Sequence, residues 1–305
     1  MSGGNRSTGR FMTLHSAQES RETVPDPPPK PSALRVAVLR AVHQLLDIPV
    51  IFEDPLALRI LGTAEEERLR RDPARHNTPA LVSLRTSIVL RSRLAEDEWA
   101  RARQNGVRQF VILGAGLDTS AYRNPDHGDS RIYEVDIPST QEWKRACLRA
   151  VGIKEPASLT FVPIDFETCS LPEALTKAGF NRDEPAFFSW LGVSMYLEEE
   201  AFLSTLRFLG SLGPRSGVVF DYAVSPMLLS PPERKIIESF ASRAAGHGER
   251  WKTFFDPGSV TATLLALGFN EVQDLGPDEL DDLYLAGRTD GLRKSRGSHL
   301  ICAKI

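Results

Sequence analysis

Residues 110–123 read FVILGAGLDTSAYR. Four apolar residues, Phe110 to Leu113, run directly into Gly114 and Gly116, and an acid, hydroxyls and Arg123 follow. A continuous apolar run suits a strand buried on both faces, which is the environment of an inner strand in a parallel sheet. Glycines placed straight after it let the main chain approach a ligand with no Cβ in the way. In such a sheet the loop opens onto the crevice beyond the carboxyl ends of the strands, where ligands sit.

Outward from this stretch the chain keeps an alternating grammar. RIYEVD (131–136), SLTFVPID, PAFFSWL and SGVVFDYA read as further strands, with helical stretches at 139–151, 171–179 and 198–212 between them. Strand-helix alternation implies right-handed crossovers. Upstream, ALRVAVLRAVHQLLD is helical in period, IPVIFEDPLALRILG is a turn and short helix closing at Gly62, and TAEEERLRRDPARHN is a charged segment. A long helix from about Pro79 to Gln104 follows, with Leu81, Leu84, Ile88, Ala95, Trp99 and Ala102 on one apolar face. Asn105-Gly106 ends it. Residues 226–256 break the alternation and read as an inserted helical lid; a helix over 257–267 and the strands FNEVQDL and HLICAKI close the chain. The expectation is an α/β, doubly wound, mostly parallel seven-stranded sheet with N-terminal helices and a lid. Residues 1–32, ending in a proline-rich stretch, read as a flexible leader, and 33–305 as a single domain.

Composition narrows the partners. Lys and Arg total 37 against 40 for Asp and Glu, so the basic excess of a nucleic-acid binder is missing. No apolar run approaches the ~20 residues that span a bilayer, and the N-terminus lacks a signal peptide's apolar core. Cys147, Cys169 and Cys302 are scattered and odd in number, which argues against a disulfide framework or a zinc site and fits the cytoplasm.

The loop itself restricts the ligand. A dinucleotide fingerprint needs a third glycine or alanine three residues after the second, and that position is Thr119. The GK[ST] ending of a nucleoside triphosphate loop is missing too. RIYEVD ends in Asp136, about 20 residues past the glycines, where an acid can accept from both ribose hydroxyls. The next strand ends in VPIDFE, placing Asp165 to accept an adenine amino proton and Phe166 to offer a flat face. Together these strand ends ask for an adenosine without phosphates, a description that S-adenosylmethionine meets. Its amino-acid tail needs a cation, and Arg85, one residue off the apolar stripe of the long helix, is the candidate; a surface arginine is the plainer alternative.

At this point the sequence resembles the class I S-adenosylmethionine-dependent methyltransferases of the leucine carboxyl methyltransferase-like family, and more narrowly the bacterial branch with polyketide O-methyltransferases. The resemblance covers roughly 33–305. It rests on ALRVAVLRAV, FEDPLA, LRTSIVLR, VILGAGLDTSAYR, YEVDIPSTQEWKR, FVPIDFE and WLGVSMYL, in that order. It implies a Rossmann-like fold and a cofactor held by Arg85, by Gly114, Ala115 and Gly116, by Asp136, and by Asp165 with Phe166; Arg40 matches a second basic residue reaching the tail. Where many members carry a glutamate, this chain has Leu191. The implied reaction moves the sulfonium methyl to a small-molecule carboxylate or acidic hydroxyl, with Met195 and Tyr196 in the acceptor pocket. The six histidines lie far apart, so metal-independent transfer is the simpler proposal. The alternatives are a protein C-terminal carboxylate as acceptor, a nicotinamide-dependent oxidoreductase, or a binding protein that has lost transfer.

Overall fold

A computed structural model describes Met1 and residues 30–123 and 128–305; most of the expected leader lies outside the described residues. The first helix, α1 (Pro31–Leu46), leads through residues 47–62, which include a 3-10 turn at Arg59–Leu61, to α2 (Thr63–Arg71) and then α3 (Pro79–Gln104). Then β1 (Gln109–Leu113), α4 (Ser120–Arg123), β2 (Arg131–Asp136), α5 (Pro138–Ala150), β3 (Leu159–Pro163), α6 (Leu171–Lys177) and β4 (Ala186–Trp190) alternate. After them come α7 (Glu199–Gly210), β5 (Gly217–Ala223), α8 (Pro231–Gly246), α9 (Pro257–Ala266), β6 (Glu271–Leu275), α10 (Pro277–Tyr284) and β7 (Ser298–Lys304).

The sheet has seven strands in the order β3-β2-β1-β4-β5-β7-β6. The strands β1 to β5 pair in parallel, and β7 runs antiparallel to both β5 and β6. The chain builds outward from β1 to β3, then returns to lay β4 on the other flank of β1. That reversal makes the switch point where a crevice opens, and the loop after β1 stands at its mouth.

Period-two alternation divides the strand residues between two cores. Phe110, Ile112 and Phe187 face the helices α1, α3 and α5, where Trp99 stacks on Phe110 at 4.8 Å. Val111, Leu113, Phe188 and Trp190 face the other layer, where Trp190 stacks on Phe202 at 5.3 Å. Each inner strand is therefore buried on both sides, as its unbroken apolar run requires.

Two helices go beyond the sequence expectation. The charged segment 63–71 is the helix α2, held by Glu65–Arg68 and Glu66–Arg70 pairs one turn apart, with Leu69 alone fully buried. The helix α10 forms from an acidic stretch whose Pro277 and Leu280 pack inward.

Candidate active site

One cavity of about 530 Å³ lies beyond the carboxyl ends of the parallel strands. Gly114, Ala115 and Gly116 line it, as do Asp136 from the end of β2 and Asp165 with Phe166 from the end of β3. Met195 and Tyr196 line it as well. Three successive strand ends thus share one hollow.

The glycine loop is shaped by contact. Gly114 has φ +70°, and a Cβ there would stand 2.3 Å from the Val193 side chain. Gly116 has φ +47°, with the Ala33 side chain 3.3 Å from an added Cβ. Gly116 and Ile137 donate their backbone N–H groups to the two oxygens of Asp136, each at 2.7 Å. Burial pushes the Asp136 carboxyl above its ordinary value, and these two bonds pull the other way. A carboxylate has about four acceptor positions, so sites remain for a ligand's hydroxyls.

Thr119 explains why no dinucleotide turn forms. Its hydroxyl donates to Asp54 at 2.7 Å and accepts from Arg40 at 2.7 Å and from Arg123 at 3.1 Å. The loop is thereby tied to α1 and to the FEDPLA stretch. Asp118 caps the following four-residue helix, accepting from the Ser120 N–H at 2.8 Å. Burial would raise its pKa, but Arg40, Lys144 and Ser120 outweigh that and hold it below the usual value.

The structure corrects the assignment of Arg85. It does not line the cavity; it is 1% exposed, and its guanidinium makes a two-pronged pair with Asp47, both contacts at 2.7 Å. The remaining donors reach the His76 carbonyl and Asn77 Oδ1, each at 3.1 Å. His43 Nδ1 lies 2.8 Å from the same Asp47, while His43 Nε2 accepts from the Ile51 and Phe52 N–H groups. Arg85 is spent on joining α3 to the turn after α1.

Arg40 and Arg91 are among the cations that line the cavity. Arg40 pairs with Asp54, and its buried Nε has no hydrogen-bond partner. Burial works against its charge, yet Asp54 and Asp118 raise its pKa overall. Arg91 donates to Asp221 Oδ2 at 2.8 Å, and its guanidinium lies where a Cβ on Gly192 would be, 2.7 Å away. Since Val193 presses on Gly114 and its neighbour Gly192 on Arg91, this cation stands beside the glycine loop. Sequence held the signal for it: Arg91 is three residues after Ile88 and four before Ala95, squarely on the apolar stripe of α3.

Leu191, where the family resemblance led to an expected glutamate, lines the cavity. A carboxylate is nevertheless adjacent, since Asp221 of β5 accepts from the Gly192 N–H at 2.5 Å. No local pattern in the strand SGVVFDYA marked that acid.

Residues 226–256 supply the roof. Ile237, Phe240 and Ala244 of α8 and Trp251 beyond it line the cavity. The end of this segment is clasped to α1: Ser32 donates from its N–H and hydroxyl to the two oxygens of Glu249, at 2.8 and 2.6 Å. Lys252 and Thr253 donate backbone N–H groups to the Met195 carbonyl, stitching the roof to the cavity wall. Burial raises the Tyr196 pKa, so its hydroxyl keeps its proton at neutral pH. Among the described residues no helix is long and apolar enough to cross a membrane.

A family model described as leucine carboxyl methyltransferase matches residues 33–210. The "Putative S-adenosyl-L-methionine-dependent methyltransferase YktD" of Bacillus subtilis is 31% identical over 294 residues, covering 89% of this chain and 96% of the relative. A "Putative S-adenosyl-L-methionine-dependent methyltransferase" of Mycobacterium marinum is 32% identical, covering 72% of this chain and 71% of its own. In fold, a DUF574 family protein of Streptomyces avermitilis aligns with a TM-score of 0.56 at 17% identity, over 81% of this chain and 96% of its own. A protein titled a putative methyltransferase, from Thermobifida fusca, aligns with a TM-score of 0.52 at 17% identity, over 88% and 93%.

Proposed function

The chain belongs to the leucine carboxyl methyltransferase family and is an S-adenosylmethionine-dependent methyltransferase, and from that premise we propose an O-methyltransferase acting on a carboxylate or acidic hydroxyl of a small, polyketide-like molecule in the cytoplasm. The observation that carries this reading is the roofed cavity. Acids at the end of β2 and just past β3, the glycine loop at 114–116 and an apolar roof all line one space, closed between α1 and Glu249. A small acceptor fits under such a roof. The three cysteines, none in a disulfide, agree with a reducing compartment.

The residues fit the cofactor. Asp136 accepts from the ribose hydroxyls, Asp165 from the adenine amino group, and Phe166 covers the ring. Gly114 and Gly116 let the loop pack against Val193 and Ala33 and present its main chain to the ribose and tail. Arg91 takes the tail carboxylate in place of Arg85, fixed by Asp221. Bound S-adenosylmethionine supplies an activated methyl group with a good leaving group. The protein's part is then to align an acceptor oxygen and exclude water. An ionised carboxylate needs no base for this, and the protonated Tyr196 hydroxyl serves as a donor that orients it.

The test is incubation with methyl-labelled S-adenosylmethionine and either metabolite extracts or intact proteins. Label in base-labile small molecules indicates methyl esters, and base-stable label indicates ethers. Label confined to protein, released by mild base, would replace this reading with a protein carboxyl methyltransferase.

A further inference from the structure

Beyond the cofactor residues the cavity holds a cation that the reading so far does not use. Lys294, in the loop leading into β7, lines the same space and is 5% exposed. Its ammonium donates to the Ser295 carbonyl at 3.2 Å, to the Ser298 carbonyl, and to Ser298 Oγ at 3.1 Å. All three partners are neutral. Nearby acids are each engaged elsewhere. Asp221 is taken by Arg91 and the Gly192 N–H. Asp274 is taken by the Tyr222 hydroxyl at 2.5 Å and His299 at 2.8 Å. Asp281 accepts the backbone N–H of Lys294 itself at 3.0 Å and faces Arg293 at 3.8 Å. Burial lowers the lysine to about 8, with Asp221 and Asp281 resisting the shift. A buried ammonium with no carboxylate at contact is costly unless something else compensates it.

The surroundings show what that could be. Lys294 belongs to the β5–β7 flank of the cavity, across the sheet from Asp136 and Asp165. Its loop is pinned to α3 by the Ser295 N–H donating to Ser87 Oγ at 3.1 Å. The roof helix rests on the same loop: a Cβ on Gly297 would stand 1.8 Å from Ile237 Cδ1, so only the missing side chain allows that contact. Ile237 of α8 thus brings an apolar wall against the loop that carries Lys294, with Arg91 the neighbouring cation and Phe240 also lining the cavity.

We propose that Lys294 selects and orients the methyl acceptor by pairing its ammonium with a carboxylate of an otherwise apolar small molecule. The inference rests on the cofactor site as read above, because it takes the remaining space as the acceptor's. Lys294 acts on the acceptor and not on the cofactor.

Benzoate and benzamide, of one shape and differing in charge, are suitable probes. Each is titrated calorimetrically into the full chain saturated with S-adenosylhomocysteine. The wild type is expected to bind benzoate about tenfold tighter than benzamide, the scale of one charge-assisted contact. Lys294→Met brings the two within about twofold, Lys294→Arg keeps the preference, and S-adenosylhomocysteine affinity holds within about twofold in every variant. Should the Met variant not fold, Lys294→Gln gives the same readout while retaining donors for the Ser295 and Ser298 carbonyls. A wild type indifferent to charge, or a preference that survives loss of the ammonium, overturns the proposal and leaves Lys294 as a staple of its turn. Failure of the wild type to bind S-adenosylhomocysteine would instead strike the cofactor site, and this assignment with it.

Discussion

Two arginines on α3, six positions apart, separate stability from binding, and exchanging each for methionine tests the assignment of the cofactor tail. Arg85 meets Asp47 through two contacts of 2.7 Å in a setting nearly closed to solvent. Removing it strands a buried carboxylate that keeps only His43, so Arg85→Met is expected to cost about 3–5 kcal/mol in urea unfolding. Asp47 adds a pH signature. Burial would raise it, but bonds from His43 and Arg85 hold it below the ordinary carboxylate value. Its stabilisation is therefore present at neutral pH and lost as pH falls through the depressed value; in Arg85→Met that loss begins at higher pH. Arg91→Met should remove a charge-assisted contact to the methionine carboxylate, worth roughly 1.5–3 kcal/mol, or roughly 10- to 150-fold in S-adenosylhomocysteine affinity. Adenosine, which lacks the tail, should bind within about twofold of wild type. Calorimetry on protein shown to be folded measures both ligands. Selective loss of S-adenosylhomocysteine over adenosine in Arg85→Met, with Arg91→Met unaffected, would refute the reasoning.

Other perturbations read different parts of the site. Asp136→Ala should weaken adenosine and S-adenosylhomocysteine alike by about 1–3 kcal/mol, since both carry the ribose; equal affinities in calorimetry would remove Asp136 from the nucleoside contact. Gly114→Ala adds a methyl group that overlaps Val193 at φ +70°, so it should lower the melting temperature and abolish detectable cofactor binding, and a fully active variant would show that the loop is not closely packed. Glu249→Gln weakens the cap on α1 and should speed S-adenosylhomocysteine release in stopped flow with little change in unfolding, whereas an unchanged rate would mean that the roof opens elsewhere. Benzoate binding should fall as pH rises past about 8, where free Lys294 loses its proton, with the midpoint displaced upward because the bound anion favours the charged form; benzamide binding should stay flat over the same range.

Most of the architecture was legible because it follows from periodicities that a single sequence carries. The run Phe110–Leu113 must be an inner strand, since both its faces are apolar, and the end of α3 follows from Asn105-Gly106. The acids at the ends of β2 and β3 were legible for the same reason: topology fixes where strand ends point, so Asp136 and Asp165 reach one cavity without any knowledge of packing. Antiparallel closure by β7 and the helix α10 left no comparable local trace. Arg85, the expected tail cation, lies away from the cavity for a different kind of reason. Arg85 and Arg91 are chemically identical and both are paired, with Asp47 and Asp221 respectively; what separates them is that only Arg91 lines the cavity. Asp47, 38 residues earlier, claims Arg85, and no local pattern reports a pairing made across a turn. Periodicity could still have ranked them, since a charge on the buried stripe at 91 must be answered by something buried. The same rule applied to Lys294 finds only neutral oxygens where its counter-charge should be. That is why Lys294, which no sequence pattern marked, carries the proposal about the acceptor beyond Met195 and Tyr196.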